Sequence, residues 1–502
     1  MAPYDNQRSR HLLVPVGLGA VSMTEGPRSA GRGRWMASLA LGLLTVAAII
    51  FVVALAQPLD EGDPSDENPD REPAPVEAPN ILAFVTDDQR ADSMEFMPRT
   101  SKYFMDEGAW FPNGLSTTPV CCPARASIFS GRFVHNHGVK GFTPYKLEQE
   151  TTLQAALQAG GYRTAFYGKY LNKWVRTEDP PFFDDWATFP QSTADTYEGS
   201  RYNVMGDLAN RDKHSTRLLR DRALRFLEQG DAEGDSSPWL MYISTPAAHS
   251  PFIVEPRFAD APVGRWRGNP AVFEEDLSDK PSQVIQPLRG KCDLACGRSI
   301  REQQHRTLMS VDVMVDDVMR KLEELGESND TLALFVSDNG VMWGEHGLGN
   351  KRFPYRQSVN VPFGMRWPDE TTPGLDKRLV SLVDIAPTAL DASGVETEDG
   401  IEMDGRSLLD NWRRQEMLLE HWDTAIATVP KYRSLWSKDY QYVEYYDGKE
   451  ITFREYFDLR EDPWHLENLL APGSQDGPHE RQVEKLSRRL NRFSRCEGSD
   501  CP

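Results

Sequence analysis

Positive charge is in short supply in this chain: over 502 residues, 56 Lys and Arg face 76 Asp and Glu, for a net charge of −20. Non-specific nucleic-acid binding needs basic surface to displace counterions, so that class is excluded and no nucleic-acid partner is expected. An anionic substrate would have to be drawn by local cations against a repulsive overall field, which makes each Arg or Lys near a candidate site informative. Cysteine is scarce as well, with six residues, four of them in the close pairs Cys292/Cys296 and Cys496/Cys501. Neither pair has the neighbouring ligands that a zinc site needs. In an exported chain such spacing suggests two short disulfide clips, with connectivity left open by the sequence.

Long uncharged apolar runs are also rare, and residues 36–56 form the one able to span a bilayer as a helix. Arg8, Arg10, Arg28, Arg32 and Arg34 precede it against Asp5 and Glu25, so residues 1–35 are expected to be a cytoplasmic tail and the rest of the chain to lie outside. The expectation is a single-pass anchor in the cell membrane. Ala54-Leu55-Ala56 also fits a cleavage site, in which case the protein is secreted. Residues 57–79 carry eight acids, the single Arg71 and six prolines, an extended linker that cannot pack a core.

What remains is ordinary globular sequence, 39% hydrophobic and 26% charged over the whole chain. Its length suits a large α/β domain with a smaller partner. Within it, residues 119–133 put Cys121, Pro123 and Arg125 into one helical turn. Pro123 suits a first helical position, so Cys121 is expected just before a helix N-terminus. Free N–H groups there, with the guanidinium fork of Arg125, favour a tetrahedral anion. Taken alone, Cys121 could also be a buried structural cysteine or part of a redox pair.

Two apolar runs, Asn80–Val85 and Thr331–Val336, stop at Asp87-Asp88 and at Asp338-Asn339-Gly340. Runs of this kind read as buried parallel strands, whose carboxyl ends collect ligands in open α/β sheets. Three carboxylates and an amide oxygen form a hard donor set, suited to Ca2+ and less well to Mg2+. Thr164–Tyr167 and Met241–Ser244 read as two further strands, running into Lys169 and towards His249. Residues 299–325 read as the longest helix, and Tyr440–Tyr446 with Ile451–Leu459 as a hairpin turning at Asp447-Gly448.

The string Cys121-Cys122-Pro123-Ala124-Arg125 resembles the Cys-x-Pro-x-Arg signature of type I sulfatases, with Gly131 placed as in the extended motif. The double cysteine and Phe133-Val134-His135-Asn136-His137 resemble the N-acetylglucosamine-6-sulfatase branch. The resemblance runs from about residue 79 to 470. It implies an alkaline-phosphatase-like α/β fold, a mixed sheet between helices with a smaller C-terminal antiparallel subdomain; the expected division is 80–399 and 400–502. It implies that Cys121 is converted to formylglycine by a formylglycine-generating enzyme. It also implies that Asp87, Asp88, Asp338, Asn339 and the modified Cys121 hold the metal. Arg125, Lys169 and Lys351 would hold sulfate, and His249 would protonate the leaving alcohol. Many sulfatases carry histidine two residues after the first of these lysines; here that position is Leu171, with Asn172 or His137 as candidate replacements. His346, Arg352 and Arg356 could line the leaving-group side or form surface salt bridges.

The expected function is hydrolysis of the sulfate ester of a sulfated small molecule or glycan. The alternatives are a formylglycine-dependent phosphodiester or phosphonate monoester hydrolase, and a membrane-anchored glycan-binding protein whose centre is never matured.

Overall fold

The computed structural model describes residues 78–189, 197–199, 201–282, 291–397, 401–422, 429–474 and 477–502. The N-terminal tail, the 36–56 segment and the linker up to residue 77 lie outside the described residues, as does the expected span. Among the described residues no helix is long and apolar enough to cross a membrane.

The strands are β1 (Asn80–Thr86), β2 (Ala109–Trp110), β3 (Gly114–Leu115), β4 (Arg163–Gly168), β5 (Asp185–Thr188), β6 (Arg201–Val204), β7 (Asp207–Asn210), β8 (Trp239–Ser244), β9 (Thr331–Ser337), β10 (Phe363–Arg366), β11 (Gly374–Leu375), β12 (Val380–Ser381), β13 (Glu416–His421), β14 (Lys431–Ser437), β15 (Tyr440–Asp447) and β16 (Glu450–Asp458). The main helices are α1 (Cys121–Ser130), α2 (Leu153–Ala159), α3 (Ser215–Glu233), α4 (Leu294–Leu325), α5 (Ile385–Ser393) and α6 (Glu480–Phe493).

A mixed sheet takes the order β11-β2-β10-β9-β1-β8-β4-β5-β6-β7. Its centre, β9-β1-β8-β4, is parallel throughout. Alternate residues of a strand face opposite sides, and here both sides are covered, which is why these strands are apolar without a break. Ile81, Ala83 and Val85 pack with Ile128 and Phe129 of α1, Leu157 of α2 and Ala389 of α5. Leu82 and Phe84 pack on the other side with Leu219 of α3 and Val311, Val315 and Val318 of α4. The polar residues that follow β1, β4, β8 and β9 therefore emerge together at one edge.

Two boundaries differ from expectation. Helix α1 starts at Cys121, with Val120 extended at the cap (φ −142°, ψ 120°), so Pro123 is its third residue. Proline is tolerated there because first-turn N–H groups have no partner inside the helix. Helix α4 starts at Leu294 because the Asp293 carboxylate accepts from the Cys296 N–H at 2.9 Å, a side-chain cap.

The small sheet β13-β14-β15-β16 is an antiparallel meander. Its Tyr432, Leu435 and Phe457 pack with Leu486 and Leu490 of α6, and with Leu348, Phe353 and Tyr355 from the loop after β9. This sheet thus buttresses the loop that carries Lys351. Cys292–Cys296 and Cys496–Cys501 are disulfides, and Cys122 is a fully buried free thiol. The first clip lies against Gly349, where an added Cβ would come within 2.7 Å of the Cys292 sulfur.

Candidate active site

Cys121 is buried at the N-terminus of α1. Its Sγ lies 3.4 Å from Asp87 Oδ1 and 2.7 Å from Lys351 Nζ. Burial, reinforced by the charges of Asp338 and Asp87, pushes the thiol up to about 12. An unmodified Cys121 is therefore a neutral thiol at physiological pH and a poor nucleophile.

Arg125, one helical turn on, ties four strand ends together. Its Nε donates to Asp338 Oδ2 at 2.7 Å, Nη1 donates to the Lys169 carbonyl at 2.8 Å and to Ser244 Oγ, and Nη2 lies 3.5 Å from Asp87 Oδ2. Nη2 itself is buried and has no hydrogen-bond partner among the described residues. Lys169 donates to Asp87, and Lys351 to Asp88. Both ammonium groups come from almost fully buried residues, which requires such pairing.

The resulting cluster sets Asp87, Asp88 and Asp338 against Arg125, Lys169 and Lys351. Lys169, His249, Arg125 and Lys351 together overcome the burial that would raise Asp87, and hold it well below the usual carboxylate range. Burial and the neighbouring Asp87 push Asp338 the other way. The Asp88 N–H donates to Asp338 Oδ1 at 3.3 Å, and Asn339 Nδ2 donates to Asp88 Oδ1 at 2.6 Å. Asp88 sits at φ 62°, a left-handed conformation that costs non-glycine residues energy and is often found at functional sites.

His249 is the partly open member, with its side chain 24% exposed and Nε2 3.7 Å from Asp88 Oδ2. Its Nδ1 lies 2.6 Å from the Ser250 carbonyl, which can only accept, so Nδ1 carries a hydrogen. That leaves Nε2 facing the site.

Ligand atoms of Asp87, Asp88, Cys121 and His249 lie within 4.8 Å of one another. His249 belongs to this group although it was not expected as a ligand, whereas Asp338 is turned partly towards Arg125. Asn339 Oδ1 is buried with no hydrogen-bond partner among the described residues, beside the carboxylates. The carboxylate and amide oxygens fit a hard divalent cation; the Cys121 sulfur would fit one only when replaced by an oxygen-bearing group. Physically, the six charges already balance, so an incoming anion would leave a buried negative surplus that two further positive charges offset.

The candidates around this centre separate. His137 accepts from the Val139 N–H at 3.1 Å and lies 3.2 Å from Ser127 Oγ, and burial lowers it to about 3. Both its nitrogens are spent behind α1, so it does not replace the missing histidine. Asn172 Oδ1 is buried without a hydrogen-bond partner among the described residues. His346 is buried, pairs with Glu274 and lies 4.6 Å from the Tyr355 ring; Arg356 donates to the Pro463 carbonyl at 3.2 Å. These two serve the contact with the small sheet. Neither forms a surface salt bridge among the described residues.

Two supporting residues went unnoticed in the sequence. Ser244 donates to the Lys169 carbonyl at 2.7 Å while accepting from Arg125. Gln304 donates to the carbonyls of Asp88 and Ala248 at 3.1 and 2.9 Å and accepts from Trp343 Nε1 at 2.6 Å. The available signal for Gln304 was an amide on the same helical stripe as Leu308, Val311 and Val315.

Residues 79–395 match the family described as Sulfatase. The chain belongs to the sulfatase family. Residues 344–495 also match the C-terminal region described as N-sulphoglucosamine sulphohydrolase, C-terminal. Similar curated proteins include a putative extracellular sulfatase Sulf-1 homolog of Caenorhabditis elegans, 32% identical over 66% of this chain and 48% of its own length. Human N-acetylglucosamine-6-sulfatase is 26% identical over 84% of this chain and 86% of its own. The chain spans about half the length of the Caenorhabditis relative, and 31% of an extracellular sulfatase SULF-1 homolog of Drosophila melanogaster. Among solved structures, one bound to its substrate D-glucosamine-2-N,6-O-disulfate has a TM-score of 0.69 at 21% identity, covering 82% of this chain and 97% of that one. The phosphonate monoester hydrolase of Agrobacterium radiobacter has a TM-score of 0.66 at 20% identity, covering 82% and 95%. The sulfatase fold here is thus alkaline-phosphatase-like, with its small antiparallel sheet C-terminal to the large mixed one.

Proposed function

We propose that this chain is an exported sulfatase that hydrolyses the sulfate ester of a sulfated sugar, with a formylglycine derived from Cys121 as nucleophile and a divalent cation, Ca2+ in preference to Mg2+. The supporting observation is that Arg125, Lys169 and Lys351, from three separate segments, converge on one buried cysteine beside four buried oxygen donors.

Asp87, Asp88, Asp338, Asn339 and residue 121 would hold the cation, which when bound neutralises the substrate's charge and polarises the sulfate oxygens. Formylglycine, made by a formylglycine-generating enzyme, would when hydrated supply two hydroxyls on one carbon, which cysteine or serine cannot. Lys351, already at the Cys121 side chain, holds that group against Asp88. Arg125 offers its unpartnered Nη2, and Lys169 its ammonium, to oxygens that gain charge as the ester bond breaks. His249 gives a proton from Nε2 to the leaving alcohol, and the hydrogen bond to Ser250 fixes the ring. The open edge at His249 is the path for the alcohol.

Relatives named extracellular sulfatases and N-acetylglucosamine-6-sulfatases support export and a sugar substrate. Residues 36–56 would deliver the catalytic part outside, as an anchor or a cleaved signal. A formylglycine-dependent phosphonate monoester hydrolase is the second reading, favoured by the shared fold of the Agrobacterium enzyme.

Mass spectrometry of the peptide spanning Cys121, with release rates from glucosamine 6-O-sulfate and an aryl phosphonate monoester measured side by side, tests the proposal. Formylglycine at 121 and faster sulfate release are expected. An unmodified thiol throughout, or preference for the phosphonate, refutes it.

A further inference from the structure

Three loops leave the carboxyl ends of β1, β8 and β9, and one side chain of α4 bonds to all three. The buried Gln304 Nε2 donates to the Asp88 carbonyl at 3.1 Å and to the Ala248 carbonyl at 2.9 Å, while Oε1 accepts from Trp343 Nε1 at 2.6 Å. This amide cannot be turned over. An indole N–H only donates and a carbonyl only accepts, so the three partners fix which end carries the oxygen. The two N–H bonds of the amide group serve two different loops, so the group sets how far apart their carbonyls stand.

The support beneath the amide is close-packed. A Cβ added at Gly297 of α4 would fall 1.7 Å from the Trp343 carbonyl oxygen, so helix and loop touch backbone to backbone. The Trp343 N–H donates to Glu345 Oε2 at 2.5 Å. Arg90, bound to Glu345 Oε1 at 2.8 Å, lies 3.7 Å from the Trp343 ring centroid, which holds the indole that orients Gln304. Above the amide, the Asp87 N–H donates to the Ala247 carbonyl at 2.9 Å and the Ala248 N–H to the Asp87 carbonyl at 2.6 Å. Gln304 adds a second pair of bonds one residue further along each loop. On one side it holds the peptide of Asp88, whose φ of 62° the surrounding structure must enforce. On the other, the Ala248 carbonyl shares a planar peptide with the His249 N–H, so fixing one fixes the other. That N–H donates to the Pro246 carbonyl at 2.8 Å, and the ring beyond it stands with Nε2 3.7 Å from Asp88 Oδ2.

We propose that Gln304 is a positioning residue for the proton transfer: by gripping the Asp88 and Ala248 carbonyls at once, its amide keeps His249 Nε2 in register with the carboxylates of the reaction centre. The proposal rests on the sulfate-ester reading for what His249 does, but its geometric half stands without turnover.

The test compares two esters in the full chain. The phenolate of 4-nitrophenyl sulfate leaves without a proton, whereas the alkoxide of glucosamine 6-O-sulfate needs one. Gln304→Met keeps the length of the side chain and removes its donors. It is expected to lower kcat/KM about a hundredfold for the sugar ester and about threefold or less for the aryl ester. In a His249→Ala protein the same substitution should widen that gap no further, because the group it positions is gone. Crystal structures of the wild type and the variant should show the close approach of His249 Nε2 to Asp88 lost in the variant. Should Gln304→Met fail to fold, Gln304→Glu, which keeps the volume and the acceptor for Trp343, carries the same comparison. Equal losses on the two esters, further widening in the His249→Ala protein, or a variant that keeps His249 in place overturns the proposal. If the wild type releases sulfate from neither ester but the variant has lost the approach of His249 to Asp88, the positioning stands and the sulfate-ester reading falls.

Discussion

Glu455 provides a pH test of how the small sheet supports the site loop. It is fully buried in β16, with Tyr355 donating to Oε1 at 3.0 Å and Tyr445 to Oε2 at 2.8 Å. Tyr355 in turn packs on His346, in the loop that carries Lys351. Burial pushes Glu455 up from an ordinary 4.5 to about 7, against the Lys280 charge and the two tyrosine hydrogen bonds. A raised carboxyl binds its proton more tightly in the folded state, so its stabilising share is complete below about pH 4.5 and lost as pH rises through about 7. That gap, at about 1.36 kcal/mol per pH unit, amounts to about 3 kcal/mol. Glu455→Gln cannot ionise. Urea unfolding of both proteins at pH 5 and pH 8 should therefore show the variant gaining about 3 kcal/mol on the wild type between the two conditions. The same difference at both pH values would refute the buried acid.

Arg125→Ala leaves Asp338 buried without its main counter-charge and takes one of several from Asp87; a loss of about 3–5 kcal/mol in unfolding free energy is expected by urea titration, along with loss of sulfate release. Gly168 sits at φ 121°, where an added Cβ would fall 1.8 Å from the Ser244 carbonyl oxygen. Gly168→Ala should lower the melting temperature and displace Lys169, reducing kcat/KM for a sulfate ester by about a hundredfold or more; near-normal kinetics would contradict the role given to Lys169. Chelation of the purified protein should lower both sulfate release and melting temperature, with Ca2+ restoring more of each than Mg2+. No response to chelator would count against the proposed cation.

Much of the central sheet was legible because its signal is local. Asn80–Thr86, Thr331–Ser337 and Trp239–Ser244 are unbroken apolar runs ended by polar residues, which is what strands covered on both faces look like. The hairpin at Asp447-Gly448 was equally plain, since Gly448 adopts φ 57° in the tight turn. Helix starts were less so. Asp293 caps α4 through a single hydrogen bond five residues before the apolar stripe suggests, and a proline within a first turn does not say which of its positions it fills.

The kinds of chemistry present were written in the chain itself: a cysteine one turn from an arginine, acids and an amide after buried strands, and lysines that could meet an anion. The folded molecule decided who faces whom. It spends both nitrogens of His137 behind α1, brings His249 among the expected cation ligands, and sets Gln304 from a distant helix under Asp88. It also draws Lys140 and Lys431, from two separate stretches, over the ring of Trp422. The reason is physical: apolar periodicity and turn chemistry act over a few residues, whereas a side chain's direction and the charges around it are set by packing between segments hundreds of residues apart.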